Sequence, residues 1–219
     1  MSIKYKHLGK LITCDGPDGG GKSTQLKILA EYLKAKGYDV ITSREPGGTP
    51  LGEELRKILL GSVMSIDTEI MLFAAIRAEH MAALIKPAIV SGKIIVCDRF
   101  SDSTFAYQGC GRGRERDVEL LEEFVLDGFE PHYTLFFDVT LEESNKRISS
   151  RNVTRDRFEK EQIEFKKRVY HGYLLRYLEN PHRMHRIDAN KPLEDVSTDV
   201  KEWVDNVFIP GNPIEQVTE

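Results

Sequence analysis

The chain contains the stretch Gly16-Pro17-Asp18-Gly19-Gly20-Gly21-Lys22-Ser23-Thr24, which matches the phosphate-binding pattern G-x-x-x-x-G-K-[ST] without a gap. Glycine accepts left-handed backbone angles at little cost, so the N–H groups of such a turn can face one anion. Lys22 adds a mobile charge for the β- and γ-phosphates, and the Ser23 hydroxyl is placed to ligate Mg²⁺. Residues 16–24 are therefore predicted to form a P-loop that binds a nucleoside triphosphate.

The flanks of this stretch supply the context that a P-loop requires. Residues 10–15 read as a short buried strand, and Leu26, Leu29, Ala30 and Leu33 follow the spacing of one helix face. Gly37 is expected to end that helix. The loop thus joins a strand end to a helix N-terminus, where unpaired N–H groups and the helix dipole favour anions. A chance glycine-rich turn would not carry these flanks.

The overall composition indicates a globular chain without a general affinity for polyanions. The chain has 219 residues, of which 40% are hydrophobic, and a formal net charge of −4. This balance argues against nucleic acid as a partner. The absence of an apolar run near 18 residues argues against a membrane span. We expect one P-loop domain over residues 1–208, followed by a loose tail at 209–219.

Three cysteines, Cys14, Cys97 and Cys110, lack the spacing of metal ligands. Two of them end apolar segments that read as strands, so buried free thiols are expected. Free thiols suit a reducing compartment, and a cytoplasmic location is predicted.

Strand and helix patterns alternate along the chain, which favours an α/β fold with a parallel sheet. Strands are predicted at residues 10–15, 38–43, 94–98, 133–139 and 184–188. Helices are predicted to begin at 22, 51, 67, 115, 141, 160 and 193, and residues 101–114 read as a polar loop. Asp67 is the expected N-cap of a helix that runs through Ile85 and breaks or kinks at Pro87. Thr140 and Glu143 have capping-box spacing.

Polar residues follow the carboxyl ends of the predicted strands, where ligands collect in parallel sheets. Asp15 leads into the P-loop, Glu45 follows the second strand, and Asp98-Arg99 follows the third. Asp98 ends an apolar strand as a Walker-B-type acid does, and it is predicted to hold Mg²⁺ through water. The alternative is that Asp98 caps the strand end.

Several segments together resemble the thymidylate kinases (dTMP kinases) of bacteria. They are the P-loop, residues 44–49 (REPGGT), 54–56 (ELR), 72–77 (LFAAIR), 98–100 (DRF), 103–109 (STFAYQG) and the arginine-rich stretch before Phe158. REPGGT and AYQG are far more specific than the P-loop alone. The resemblance extends from Lys10 to about Val196, and it implies the P-loop nucleoside-monophosphate-kinase fold with a five-stranded parallel sheet, helices on both faces, and a homodimer.

The resemblance also implies roles for individual residues. Arg56 and Arg99 would hold the dTMP phosphate, Phe73 would stack on thymine, and Arg77 would reach the base O4. Thr104 and Gln108 would hydrogen-bond the base edge, Tyr107 would pack against the deoxyribose, and Glu45 would lie near the 3′-hydroxyl and the metal. Asp15 and Asp98 would serve the metal site. The spacing of Phe73 and Arg77 supports this independently, because residues four apart share one helix face.

Four arginines, Arg147, Arg151, Arg155 and Arg157, crowd into eleven residues. Such a run is commonly a solvated surface, but the P-loop interior here carries no arginine. The resemblance implies that a lid, at about 149–158, supplies that charge. Arg157 is the favoured catalytic residue, with Arg151 and Arg155 left open, and Arg147 would lie against the adenine.

The expected reaction is phosphoryl transfer from ATP to dTMP, giving ADP and dTDP for dTTP synthesis, with Mg²⁺. Another nucleoside-monophosphate kinase acting on UMP or AMP is the nearest alternative. A P-loop GTPase is less favoured, because the sequence has no guanine-reading Asn-Lys-x-Asp motif.

Overall fold

The computed structural model describes residues 9–150, 158–159 and 161–208. Five strands form one parallel sheet in the order β2-β3-β1-β4-β5. Their bounds are β1 Lys10–Asp15, β2 Val40–Arg44, β3 Ile94–Asp98, β4 Tyr133–Asp138 and β5 Met184–Asp188. The predicted five-stranded parallel sheet is confirmed, and the strand ends differ from prediction by two residues at most.

The α-helices are α1 Lys22–Ala35, α2 Pro50–Gly61, α3 Ile66–His80, α4 Lys86–Val90, α5 Ser101–Thr104, α6 Glu115–Leu126, α7 Leu141–Ser150, α8 Ile163–Glu179 and α9 Leu193–Asn206. Two π-helical segments, Met81–Ile85 and Phe105–Gly111, continue α3 and α5 respectively. We refer to α5 and its π-helical continuation together as the 101–111 helix.

Both faces of the sheet are covered, because alternate residues of each central strand point to opposite sides. Ile12 and Val96 pack with α1 and α9 through residues such as Leu29 and Val200. On the other face, Leu11 and Ile95 pack with the α3–α4 region and α6. This two-sided core leaves the carboxyl edge of the sheet as the place where the connecting segments meet.

The helix that was predicted to break or kink at Pro87 does not break there. The chain continues from α3 through the first π-helical segment into α4, and Pro87 lies in the first turn of α4. The missing N–H of proline is tolerated in a first turn. The predicted cap was also wrong: Ser65, not Asp67, is the N-cap of α3, and its Oγ accepts the N–H of Thr68 over 3.2 Å.

The largest error concerns residues 101–114, which were predicted to be a polar loop. Residues 101–111 are helical, and every one of them is buried. The buried polar side chains find distant partners. Asp102 accepts two hydrogen bonds from Arg183, over 2.7 and 2.8 Å, and another from Thr134 over 3.2 Å. Although burial opposes it, the hydrogen bonds and charge of Arg183 lower the pKa of Asp102.

Only half of the predicted capping box forms. Thr140 Oγ1 accepts the N–H of Glu143 over 3.3 Å, but the N–H of Thr140 donates to Asn190 Oδ1 over 2.9 Å. The Glu143 carboxylate instead bonds to Arg147 over 2.8 Å. Asn190 thus ties the start of α7 to the segment after β5.

Cys14, Cys97 and Cys110 are free and buried, as predicted, and burial raises the pKa of each thiol. Within the described residues, no helix is both long enough and apolar enough to cross a membrane. The predicted tail, residues 209–219, lies outside the part of the chain that the structure describes.

Candidate active site

A cavity of about 300 Å³ opens at the carboxyl edge of the sheet. One end is formed by the P-loop and the first turn of α1, and the other by α2, α3 and the 101–111 helix. Of the predicted site residues, the following line it: Asp18, Gly19, Gly21, Lys22, Ser23, Thr24, Glu45, Arg56, Phe73, Arg77, Asp98, Arg99, Thr104, Tyr107 and Gln108. Segments far apart in sequence therefore converge on one cavity.

The P-loop adopts the positive φ angles that its glycines were predicted to allow. Gly16, Gly19 and Gly21 have positive φ angles, whereas Gly20 does not. A Cβ at Gly16 would lie 2.4 Å from the carbonyl oxygen of Phe137 on β4. The glycine at position 16 therefore lets the loop leave β1 in direct contact with the neighbouring strand.

Lys22 is buried in the structure. The residue is only 6% exposed, and its Nζ donates to the carbonyl oxygen of Pro17 over 2.6 Å. Burial, together with the positive charge of Arg99, lowers the pKa of Lys22 to about 8. An arriving phosphate would stabilise the charged form of this amine.

Ser23 and Asp98 come together across the sheet edge. The Ser23 hydroxyl donates to Asp98 Oδ2 over 2.6 Å. Hydroxyl and carboxylate oxygens are the ligands that Mg²⁺ prefers, and the ion commonly takes one or two protein ligands beside substrate phosphates. Among the described residues, no group of three or more histidine, cysteine or acidic side chains could hold a metal alone. The pair thus fits a cation that phosphate oxygens also bind.

Arg99 lies at the centre of the cavity wall. Its backbone has φ +68°, and its N–H donates to the carbonyl oxygen of Cys14 over 3.1 Å. The guanidinium bonds to the Asp18 carboxylate of the P-loop and also reaches Tyr173 Oη over 2.9 Å. A planar fork held in this way can bind two oxygens of one anion.

Asp15 does not line the cavity. The carboxylate is fully buried behind the P-loop, where Oδ1 accepts a hydrogen bond from Ser103 Oγ over 2.5 Å. Its Oδ2 has no hydrogen-bond partner among the described residues. Burial and the nearby Asp102 carboxylate raise the pKa of Asp15 to about 6. This placement favours a structural link to the 101–111 helix over the predicted contact with a metal.

Arg77 belongs to a buried chain of polar contacts that sequence reasoning did not find in full. Arg77 Nε donates to Glu45 Oε2 over 2.9 Å, and Nη2 donates to Thr104 Oγ1 over 2.7 Å. Glu45 Oε1 in turn lies 2.9 Å from Nδ1 of His80, whose Nε2 lies 2.7 Å from Ser43 Oγ. His80 was missed because a buried histidine at helical spacing is indistinguishable from a core residue in one sequence.

A second buried contact fixes Gln108. Its Nε2 donates to Glu69 Oε1 over 2.9 Å, and Arg112 Nε approaches the same oxygen at 3.4 Å. Glu69 was also missed, since it lies in the first turn of α3 among residues that read as a solvated helix start.

The other residues that were predicted to bind the acceptor nucleotide also line the cavity. Phe73 faces Phe158, with ring centroids 6.2 Å apart. Arg56 Nη1 donates to the carbonyl oxygen of Pro46 over 2.5 Å, which positions it beside the REPGGT segment. The Arg99 guanidinium lies over the Tyr107 ring, with Cζ 5.0 Å from the ring centroid.

Arg147 lies on the outer side of the P-loop. It donates to the carbonyl oxygens of Gly19 over 3.4 Å and Ala189 over 2.8 Å. Its guanidinium therefore joins the P-loop to the segment after β5. The arginines predicted to act from a lid, Arg151, Arg155 and Arg157, lie outside the described residues.

These features define a class of protein. A P-loop leads into α1 at the edge of a parallel sheet, a hydroxyl–carboxylate pair suited to Mg²⁺ lies beside it, and one cavity continues toward an aromatic ring and arginines. This is the arrangement of a P-loop nucleotide-binding protein with room for a second ligand.

Comparison with known proteins specifies the family. Residues 14–200 match the family model described as thymidylate kinase. Thymidylate kinase from Pseudomonas fluorescens is 45% identical over 204 residues, covering 91% of this chain and 97% of that protein. Thymidylate kinase from Nitrosospira multiformis is 46% identical over 203 residues, covering 91% and 98% respectively. The crystal structure of thymidylate kinase from Ehrlichia chaffeensis has a TM-score of 0.72 and 34% identity, covering 90% of this chain and 98% of that one. The chain belongs to the thymidylate kinase family.

Proposed function

We propose that this chain transfers the γ-phosphoryl group of ATP to dTMP, forming ADP and dTDP for dTTP synthesis. The observation that carries the proposal is the continuity of the cavity from the P-loop lysine, Lys22, to Phe73 and Gln108. A donor phosphate on the P-loop and an acceptor nucleotide against the aromatic ring would then face each other within one enclosure. Family membership names the acceptor, and the cavity gives the residues that would bind it.

The acceptor end suits a nucleoside monophosphate. Arg56 and Arg99 line the same cavity and would bind the phosphate, since guanidinium forks pair with two oxygens at once. Phe73 would stack on the base, Arg77 and Gln108 would hydrogen-bond its edge, and Tyr107 would pack on the sugar. Thr104 would act mainly through Arg77, because its hydroxyl accepts from Arg77 Nη2. Glu45 would act in the same way, holding Arg77 from the other side.

The donor end suits ATP with Mg²⁺. Backbone N–H groups of residues 16–24 and the amine of Lys22 would bind the phosphates, with Arg147 beside the adenine. Ser23 and Asp98 would hold Mg²⁺, which when bound neutralises charge on the β- and γ-phosphates. The contact between Ser23 and Asp98 supports this, because it brings a hydroxyl and a carboxylate oxygen to one point.

No general base is required in this reaction. The second pKa of a phosphate monoester is about 6, so the attacking oxygen of dTMP is already anionic at neutral pH. The protein contributes by holding donor and acceptor in line and by placing positive charge where negative charge develops. Lys22 and Arg99 line the cavity and would supply part of that charge.

We further propose that Arg157 supplies the remaining charge in the transition state. An arginine in this role contributes roughly 10³–10⁵ in kcat. Arg157→Ala should therefore lower kcat far more than it raises either KM. If kcat falls less than tenfold in this variant but a thousandfold in Arg151→Ala or Arg155→Ala, the arginine with the thousandfold loss has this role.

A homodimer in the cytoplasm is part of the proposal. Large exposed apolar side chains occur on α2, α3 and α6, and α3 packs against both other helices. They are Leu51, Ile58, Ile66, Met71, Leu120 and Phe124. A charged substitution of Phe124, which is 83% exposed, should convert the dimer to monomer in sedimentation without unfolding it.

A coupled assay of ADP release across acceptors tests the proposal. With ATP as donor, dTMP should give the highest kcat/KM, and dUMP should be poorer by roughly tenfold or more for want of one methyl group. AMP or UMP as the preferred acceptor would identify another nucleoside-monophosphate kinase. GTP preferred over ATP, with no acceptor phosphorylated, would indicate a GTPase instead.

A further inference from the structure

We propose that Glu69 is a positioning residue that fixes the polarity of the Gln108 amide, so that the acceptor site selects a base with an N–H donor at its third ring position. The inference rests on the proposed function, since it concerns how the same cavity distinguishes one pyrimidine from another. Glu69 itself does not line the cavity, whereas Gln108 does.

The contact between the two side chains is sheltered from water. Glu69 is 2% exposed and Gln108 is 1% exposed. The Gln108 Nε2 donates to Glu69 Oε1 over 2.9 Å. Water cannot readily replace either partner, so the orientation of the amide is set by what the protein offers it.

A carboxylate can offer only acceptors. Glu69 Oε1 has no hydrogen to give, and Arg112 Nε already approaches it at 3.4 Å. Turning the Gln108 amide by half a rotation would bring its oxygen against the carboxylate oxygen, with repulsion in place of a hydrogen bond. Glu69 therefore holds the amide with its NH₂ group toward α3.

The consequence is an acceptor left for a ligand. Gln108 Oε1 is buried and has no hydrogen-bond partner among the described residues. A buried acceptor without a partner is costly, and such atoms commonly await a ligand or a water molecule. Because Nε2 is committed to Glu69, the oxygen is the amide atom available to a base in the cavity.

Arg77 offers a hydrogen-bond donor beside the acceptor oxygen of Gln108. Arg77 also lines the cavity, and its Nε and Nη2 are engaged by Glu45 and Thr104. Its Nη1 has no hydrogen bond within the described part of the chain. An acceptor from Gln108 beside a donor from Arg77 matches the N3–H and O4 of thymine or uracil. Cytosine presents the opposite pattern, an acceptor at N3 and an amino donor at C4.

The role can be separated from a merely structural one by a double-mutant cycle. Glu69→Gln keeps the size of the side chain but can accept or donate, so Gln108 is no longer held in one orientation. We expect kcat/KM for dTMP to fall about tenfold, mainly through KM, and the ratio of dTMP to dCMP activity to fall with it. The KM for ATP should stay within twofold.

The second arm repeats the change where there is no amide to orient. In a Gln108→Leu background, Glu69→Gln should leave the dTMP-to-dCMP ratio unaltered, because no amide remains to be turned. Asp67→Asn is the matched control, because it removes a carboxylate from the same helix turn at an exposed side chain paired with Arg114. This variant should change neither the KM for dTMP nor the dTMP-to-dCMP ratio. If Glu69→Gln lowers the ratio equally in both backgrounds, Glu69 does not act through Gln108 and the inference is wrong.

A substrate-side measurement keeps the test decisive if the leucine variant fails to fold. The probe is 3-methyl-dTMP, which has no N3–H. Its dissociation constant should be the same in wild type and Glu69→Gln, while that of dTMP rises in the variant. Equal weakening of both nucleotides would overturn the inference. Failure of the wild type to phosphorylate dTMP would instead overturn the proposed function.

Discussion

The Tyr107 hydroxyl donates a hydrogen bond to Asp18 Oδ2 over 2.7 Å, so the 101–111 helix and the P-loop share one carboxylate. Arg99, which follows β3, bonds to the other oxygen of the same carboxylate. The three side chains come from three separate segments, and each would otherwise leave a polar group facing a cavity wall. Asp18 thereby joins the P-loop to the 101–111 helix and to the residue that follows β3.

Removing the Tyr107 hydroxyl should weaken this link. In Tyr107→Phe the ring remains, but Asp18 loses one of its donors. Hydrogen bonds to charged groups contribute about 1.5–3 kcal/mol, and the free energy of unfolding should fall by about that amount in urea titrations. Tyr173→Phe is a useful comparison, because that hydroxyl contacts Arg99 over 2.9 Å and not Asp18. A loss of stability confined to Tyr173→Phe would contradict the role given to Asp18.

Nucleotide binding should depend on pH through Lys22. The pKa of this amine is lowered to about 8 in the ligand-free protein, and bound phosphate favours its charged form. The affinity for ADP should therefore fall as the pH rises above about 8, approaching tenfold per pH unit. Calorimetry at pH 8.5 in two buffers of different ionisation enthalpy should detect proton uptake on binding.

Lys22→Met removes the titrating group and should abolish that proton uptake along with turnover. Comparison with the variant should also show how the Lys22 amine changes the free energy of unfolding with pH in the absence of nucleotide. Because the folded pKa lies below the unfolded value of 10.5, wild type gains stability relative to the variant as the pH rises from about 8 toward 10. If the free energy of unfolding has the same pH dependence in both proteins, the pKa of Lys22 is not lowered.

Asp15 should give the opposite dependence in acid. Its folded pKa of about 6 lies above the ordinary value of 3.8, so its stabilising contribution is complete below pH 4 and is lost as the pH rises through 6. Asp15→Asn cannot titrate. The unfolding free energy of wild type relative to this variant should fall by up to about 3 kcal/mol between pH 4 and pH 7. A constant difference across that range would place the titration elsewhere.

The sheet, the P-loop and the convergence of Phe73 with Arg77 could be predicted because they follow local rules. Strand burial, glycine spacing and helix periodicity can all be recognised from residues that are close together in the sequence. The 101–111 helix could not be predicted in this way. Its serine, aspartate and glycine content favours a loop, and its stability comes from partners such as Arg183 that lie far away in sequence.

The same limit explains why the supporting residues of the site escaped prediction. His80 contacts Glu45, and Glu69 contacts Gln108, while Glu45 and Gln108 line the cavity. Nothing in their immediate sequence distinguishes them from an ordinary core histidine and an ordinary first-turn acid. Only the packing of α3 against the REPGGT segment and the 101–111 helix reveals their contacts.

His80 should influence dTMP binding without touching dTMP. His80→Phe fills the space but leaves Glu45 Oε1 and Ser43 Oγ without their ring partner. The variant should lose about 1–3 kcal/mol of stability, and its KM for dTMP should rise more than its kcat falls, because Glu45 no longer holds Arg77 in one place. Ser43→Ala, which removes only the outer contact, should show a smaller change in both quantities.

Arg77 should carry discrimination at the base O4. Arg77→Ala should narrow the gap in kcat/KM between dTMP and dCMP, since the donor that repels a cytosine amino group is gone. It should also cost about 3–5 kcal/mol of stability by leaving Glu45 buried beside His80 without its cation. A stable variant with an unchanged gap would show that Arg77 neither reads the base nor balances Glu45.

The π-helical turn at Phe105–Gly111 makes the length of this segment as important as its composition. A π-turn accommodates one residue more than an α-turn, so deleting a single residue would let the segment close into an ordinary α-helix and would redirect the side chains inside the turn. Gln108 lies inside the turn and would then leave Glu69. When relatives are aligned, a gap between Arg99 and Gln108 should mark a protein whose acceptor site has been rebuilt, even where every motif letter is retained.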